Sequence, residues 1–224
     1  MPPLRSALIA AGVMAVSTAV LIEGWRLVSF GFDDAAAFAL LQPRKNVSDA
    51  KRRKEIVDAL TRVERWRSEP GVSSRAMKTL FLLQKALQNP PVEEKKLIDF
   101  LTVEPTAGQE WLELARLRWN RGAALDEITE ALQMSSVTHP RELQTMLYRT
   151  LDQIELWEFL PRDMQRTTMN DLVDLARRVL LDQAILVREA FAAKSPRVQE
   201  AMKQELQARG DGGRFWLQAL DAQH

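Results

Sequence analysis

The chain of 224 residues has no cysteine and only two histidines. Without cysteine there are no disulfides, no thiolate metal sites and no cysteine nucleophile. The compartment stays open, because an exported chain without disulfides need only be stable through its core. The histidines do not make a metal pair. His139 precedes a proline at a helix start and His224 is the last residue, with neither helical spacing nor a carboxylate motif to join them. Charge of one sign is also lacking. Lys and Arg number 31 against 30 Asp and Glu, a net charge of +1, so no global field recruits nucleic acid or an acidic substrate. No segment shows convincing strand alternation.

Catalytic signatures are missing in the same way. The glycines of residues 210–213 follow a helix and lack a lysine, so they match neither phosphate-loop pattern, and no serine sits in a Gly-x-Ser-x-Gly elbow. Two carboxylate pairs occur at helical spacing, Glu155 with Glu158 and Asp171 with Asp174. Both are expected to be solvated, balanced by Arg162, Arg177 or Arg178. No cofactor and no metal are expected, and the chain reads as a non-enzyme. A polysaccharide-modifying enzyme is the competing reading, and it would need a cleft with converging carboxylates that spacing along one helix does not establish.

What is present is an uncharged leader. Residues 6–22 run from Arg5 to Glu23 without a charge and include Leu8, Ile9, Val13, Val16, Val20, Leu21 and Ile22. Those seven contribute roughly −2 to −4 kcal/mol to membrane insertion, and a run of this length is at the short end of what spans a bilayer. Trp25 and Arg26 follow as an interfacial ring and cation. Arg5 and small residues such as Ala15, Ser17 and Ala19 are also ingredients of a cleaved signal peptide. The run is long for a signal core, however, and ends in Leu21, Ile22 and Glu23 with no small-x-small pair, which favours an anchor. Ala7, Ala11, Ala15 and Ala19 recur every four residues and would let two anchors pair closely.

Flanking charge sets the expected orientation. Arg5 and the terminal amine outweigh Arg26, which shares its flank with Glu23, Asp33 and Asp34, so the N-terminus is expected in the cytoplasm and the body outside. The cations from Arg44 to Lys54 argue the other way, for a cytoplasm-facing adaptor whose basic helix lies on anionic lipid close to the membrane. Asn46-Val47-Ser48 matches a glycosylation acceptor, but Ser48 already has a role as a helix cap.

The expected organisation is all-α: an anchor at residues 1–30, a short juxtamembrane helix and linker at 31–46, and a helical domain with one core at 47–224. Asp33 and Asp34 are expected to start the short helix at residue 35 and Pro43 to end it. Further helices are expected over residues 49–68, 75–89 and 92–101, then from 139 toward Leu160, over 168–193 and up to Arg209. The 168–193 segment, about 39 Å long at the standard rise, is expected to brace shorter hairpins. Residues 210–213 are expected to form a flexible turn, with Phe215, Trp216, Leu217 and Leu220 sealing the end of the stack.

Residues 107–140 carry the most specific pattern. Trp111, Leu114 and Ala115 share one helix face, Gly122 marks a turn, Ile128, Leu132 and Ser135 form a facing stripe, and Pro140 closes the unit. This resembles a single tetratricopeptide repeat, departing from it by one extra turn residue, by Arg118 at an aromatic position and by Ile128 at an alanine position. The resemblance implies antiparallel helix pairs stacked as an irregular solenoid or bundle that offers surfaces to a protein partner. Anchor and repeat together are similar to uncharacterised bacterial envelope proteins linked to exopolysaccharide production, which implies an inner-membrane anchor, a periplasmic body and a scaffold in polysaccharide assembly or export. Arg116, Arg118, Arg121 and Arg141 with Trp119 are the candidate ligand groove, a cationic and aromatic edge suited to an acidic peptide or sugar polymer.

Overall fold

In a computed structural model, the backbone is described for residues 2–42, 48–88 and 90–221, and side chains for residues 14–42, 48–88 and 91–221. Leu8, Ile9, Val13, Ala7 and Ala11 therefore lie outside the described side chains, and Arg44, Lys45, Asn46, Val47 and His224 outside the described residues altogether. The described residues form eleven α-helices and one 3-10 turn, with no strand among them. The chain is all-α, and it divides into two compact units, residues 1–103 and 104–224. Two units replace the single core expected from length.

In the first unit, α1 (Pro2–Leu41), α2 (Asp49–Glu64), α3 (Ser73–Ala86) and α4 (Pro90–Val103) follow one another. The largest departure from expectation is α1, which is unbroken where a linker and a second short helix were placed. Asp33 and Asp34 do not cap a new helix, because Gly31 and Phe32 stay helical and leave nothing to cap. From Met14 to Val28 the side chains are almost all exposed, whereas Phe30, Asp34, Ala37 and Leu40 are buried. One helix thus changes surroundings along its length, from none within the unit to a place in its core. Phe30, Ala37 and Leu40 join Ile56, Ala59, Val63 and Trp66 of α2 and its C-terminal turn, and Ala76, Leu80 and Leu83 of α3.

Among the described residues, Met14–Leu41 of α1 is long and apolar enough, by length and composition, to cross a membrane. Arg26 forms an ion pair with Glu69 in the turn between α2 and α3, so the charged surface of the unit begins at the level of Arg26. The helix α2 runs antiparallel to α1, since Arg65 near its end meets Asp33 and Arg52 near its start meets the Leu40 carbonyl. Lys51 to Lys54 accordingly stand about 21 Å beyond Arg26 along α1.

The second unit contains α5 (Gly108–Asn120), α6 (Leu125–Thr138), α7 (Leu143–Glu155), the 3-10 turn at Trp157–Phe159, α8 (Arg162–Leu175), α9 (Leu181–Ala192), α10 (Pro196–Gln207) and α11 (Gly210–Asp221). The helices α5 and α6 pair as a hairpin with Leu114, Ala115, Ile128, Leu132 and Ser135 buried between them and their neighbours. Trp111 is half-buried and donates its indole N–H to the Pro105 carbonyl at 2.8 Å. The expected brace over residues 168–193 is two helices, α8 and α9, with a turn at Ala176–Leu180. A straight rod would carry Val187 about 18 Å past Leu175. The turn instead returns Val187 and Phe191 to the cluster of Met169, Leu172 and Leu175, where Trp216 also packs and donates its indole N–H to the Leu172 carbonyl.

Residues 210–213 are likewise the first turn of α11 and no loose connector. A Cβ at Gly213 would lie 2.0 Å from the Leu206 carbonyl oxygen, and one at Gly212 would lie 2.6 Å from Val173 Cγ1. These glycines are there for close approach to α10 and α8.

Candidate interaction surfaces

The first unit holds α1 through two adjacent carboxylates. Consecutive helical side chains point about 100° apart, so Asp33 and Asp34 reach different helices. Asp33 Oδ2 accepts from Arg65 Nη2 at 2.6 Å and from Trp66 Nε1 at 2.8 Å. Trp66 packs edge-on against Phe30 at 5.9 Å, and the Arg65 guanidinium lies 4.9 Å from its ring. Asp34, 2% exposed, accepts from Arg75 Nε at 2.8 Å and Nη2 at 2.7 Å through Oδ2, and from Thr79 Oγ1 at 2.5 Å through Oδ1. Charge-assisted bonds to a buried carboxylate are among the stronger ones available. The Asp34→Ala variant is expected to lower the unfolding free energy of this unit by about 1.5–3 kcal/mol, kept below the buried-pair range because Arg75 can return to water. Native-state hydrogen exchange of the α1–α3 amides, measured on the full chain in detergent, reads this out.

The second unit has a buried charge at its centre. Arg149 of α7 is 0% exposed, and its Nε and Nη2 donate to Asp171 Oδ2 of α8 at 3.2 and 2.9 Å. Its Nη1 donates to the carbonyls of Ser135 at 3.2 Å and His139 at 3.3 Å, the end of α6. Helix C-termini leave carbonyls unsatisfied and attract cations, so this guanidinium closes α6 while pairing with α8. His139 extends the chain of bonds, because its Nδ1 accepts the Gly108 N–H at the start of α5 at 2.9 Å. Four helices thus meet through one arginine and one histidine. His139 has the structural role expected, whereas Asp171, expected to be wet, is buried.

The candidate groove residues are placed as follows. Arg116 makes a two-point ion pair with Asp152 of α7, at 2.7 and 3.2 Å, and its guanidinium lies 5.3 Å from the Tyr148 ring. Arg118 and Arg121 turn to α6, where Arg118 donates to the Glu127 carbonyl at 2.8 Å and Arg121 to the Glu127 carboxylate at 2.8 Å. Trp119 is half-buried, and Arg141 is exposed, its carbonyl accepting from Arg178. Arg118 and Arg121 are brought together on Glu127, while Arg116 points to a different helix. The three arginines are therefore matched with carboxylates, and no common cationic edge is formed by them.

A site that sequence reasoning missed lies between the 3-10 turn, α8 and α10. It is an open groove of about 770 Å³, with Arg162 and Arg197 alongside Glu158, Glu205, Gln165 and Gln204. The buried Trp157 lines it, its carbonyl accepting from Gln165 Nε2, and Phe159, two residues on and outside the lining, is 65% exposed. Its signal in the sequence is faint: the Trp-Glu-Phe-Leu-Pro run between two helices, with apolar side chains too close together for one helix face.

Ionisation divides the carboxylates into two groups. Burial pushes Asp171 and Asp152 above the ordinary carboxylate range, with Arg149 and Arg116 offsetting only part of it. Glu64 is below it, because Lys96 and Arg67 outweigh its burial, and Glu142 is below it through the Thr145 and Gln144 bonds of its capping role. A raised acid binds its proton more tightly folded than unfolded, so its ionised form costs stability at neutral pH and that cost fades as pH falls through the raised value. A lowered acid contributes stability above the unfolded value of about 4.3 and loses it as pH falls through its folded value. From pH 7 toward about 4, the stability gap to Asp152→Asn should therefore shift in favour of the parent chain, and below about 4 the gap to Glu142→Gln should shrink. Urea midpoints measured in parallel on parent and variant check both slopes, and shared titrations cancel.

Among the described residues, no group of three or more His, Asp or Glu is placed to hold a metal ion. No protein-family model matches the chain, and no curated protein or solved structure is significantly similar to it.

Proposed function

We propose that this chain is a single-pass membrane adaptor or scaffold of the bacterial inner membrane. Its helical units stand in the periplasm and bind another envelope protein engaged in polysaccharide assembly or export. The observation that carries the reading is α1, which leaves an apolar stretch of membrane length and enters the core of the first unit without a break. Such a helix fixes a folded body at a set height above a bilayer, which is what an assembly scaffold needs. The α5–α6 hairpin, with its small and bulky buried positions, supports the tetratricopeptide-like part of the reading. The mixed-charge groove beside Phe159 is the surface assigned to the partner.

Crosslinking in native membranes followed by identification of the captured chain tests the reading. An integral or periplasmic protein of polysaccharide assembly, lost when Arg197 is replaced by Glu and Phe159 by Asp, is the expected result. Capture of cytosolic proteins alone, or capture unaffected by those changes, contradicts it. Reporter fusions after Phe30 and after His224, active only outside the cytoplasm, test the orientation.

A further inference from the structure

We propose that the first unit binds a phosphate monoester in the cavity between the start of α2 and the end of α3, through Arg52, Arg53, Lys85 and Gln88. The site does not depend on where the chain meets a membrane, because every residue that lines it belongs to this one unit. The cavity holds about 490 Å³, within the range of small-ligand sites. Asp49, Arg52, Arg53 and Ile56 line it from α2, at sequence spacings that keep them within about 100° of one another around the helix. Lys85, Leu87 and Gln88 close it from the last turn of α3. Three cations of the lining thus meet one carboxylate, a surplus of two positive charges.

Three features here cost the folded unit stability that a bound anion would offset. The helix α2 places Lys51, Arg52, Arg53 and Lys54 near its N-terminus, the positive end of its dipole, and Ser48, expected as its cap, makes no side-chain bond to the N–H groups there. Arg52 is poorly satisfied where it lies: its buried Nε has no hydrogen-bond partner among the described residues, and its Nη2 reaches the Leu40 carbonyl only at 3.4 Å. A buried donor left unbonded is costly, and a guanidinium held this weakly is free to turn toward an anion beside it. Gln88 has a φ of 56°, the only positive φ outside glycine among the described residues. The turns after α2, α5 and α10 use Gly71, Gly122 and Gly210 for that conformation. What glycine lacks at position 88 is the amide that lines the cavity.

The donor set selects the anion. A phosphate monoester carries close to two negative charges at neutral pH and three terminal oxygens, which matches the surplus of the lining. Two guanidinium forks, one ammonium and one amide N–H can share those oxygens. A carboxylate brings half the charge and two oxygens, and Asp49 already places one at the cavity. Ile56 and Leu87 give the organic part of the ester an apolar wall. A soluble phosphate ester and the headgroup of a phosphatidic acid present the same chemistry, and they are separated by experiment.

The full chain is placed in phosphatidylcholine nanodiscs, and amide hydrogen exchange over residues 49–56 and 85–88 is followed as glycerol 3-phosphate is added; a parallel set of discs contains phosphatidic acid instead. Saturable slowing with glycerol 3-phosphate supports the site with a soluble ester, and slowing only in the phosphatidic acid discs supports it with a lipid headgroup. The half-saturating concentration is expected to rise several-fold in Arg53→Gln and Lys85→Gln and to stay unchanged in Lys51→Gln and Lys54→Gln, whose side chains lie outside the lining. Gln88→Gly should weaken binding while stabilising the unit, which separates loss of the amide from damage to the fold. Glucuronate, a carboxylate sugar, should need a several-fold higher concentration than the phosphate. No slowing in either set of discs, equal losses at all the cations of α2, or equal affinity for glucuronate overturns the proposal.

Discussion

Replacing Arg149 with Met is expected to destabilise the second unit by about 3–5 kcal/mol, a large share of what holds a domain of this size. The cost comes less from the lost ion pair than from what it leaves behind. Asp171 would remain in a site whose burial already pushes its pKa upward, and the Ser135 and His139 carbonyls would lose their donor. Changing Asp171 to Leu as well should restore much of the loss, because a buried pair replaced by apolar groups of similar volume is often near neutral. The residual deficit then measures the carbonyls of α6. Guanidinium denaturation of parent, both singles and the double variant gives the cycle, with a coupling of about 2 kcal/mol or more expected. Additive losses would mean that Arg149 and Asp171 are independent, contrary to their 2.9 Å contact.

Replacing Val16 with Arg is expected to detach the chain from the membrane. An arginine near the centre of a span costs about 2.5–3.5 kcal/mol on the insertion scale, against the roughly −2 to −4 kcal/mol that the apolar residues of the leader supply. The balance is close enough for one residue to decide it. The fraction recovered in carbonate-washed membranes should fall from nearly all to a minority, while Val16→Leu leaves it unchanged. The first unit should still fold, since Val16 is exposed and the core begins at Phe30. A variant that stays fully embedded would mean that the leader has more holding it in place than its own hydropathy.

Local signals in the chain were read with fair success where periodicity and capping decide the outcome. The α5–α6 hairpin, the start of α2 at Asp49 and the start of α10 after Ser195 follow from stripes and caps visible in the sequence, whereas α2 and α3 end at Glu64 and Ala86, short of the expected residues 68 and 89. The misreadings share one cause, which is that the partner of a residue was out of view. Asp33 and Asp34 look like helix-starting carboxylates unless Arg65 and Arg75 are known to face them. Residues 168–193 look like one helix because nothing in the run announces a break, and the turn is imposed by Trp216 and the shared core. Arg149 could have been found: it lies three residues after Met146 and four before Gln153, inside the buried stripe of α7, where a charge demands a partner. The grouping of Arg116, Arg118 and Arg121 rested on sequence proximity, although neighbouring helical positions point to different sides.

The account turns on a single helix that joins a bilayer span to a folded unit. Nitroxide labels placed one at a time at exposed positions of α1 from Met14 to Ala39, with the full chain reconstituted in bilayers, measure it through their accessibility to oxygen and to a polar relaxant. The account predicts lipid-like accessibility up to Trp25, a crossover at Arg26, and one helical periodicity whose phase is unbroken through Ala39. A loss of periodicity between Glu23 and Asp34, or water-like accessibility along the whole stretch, would contradict it.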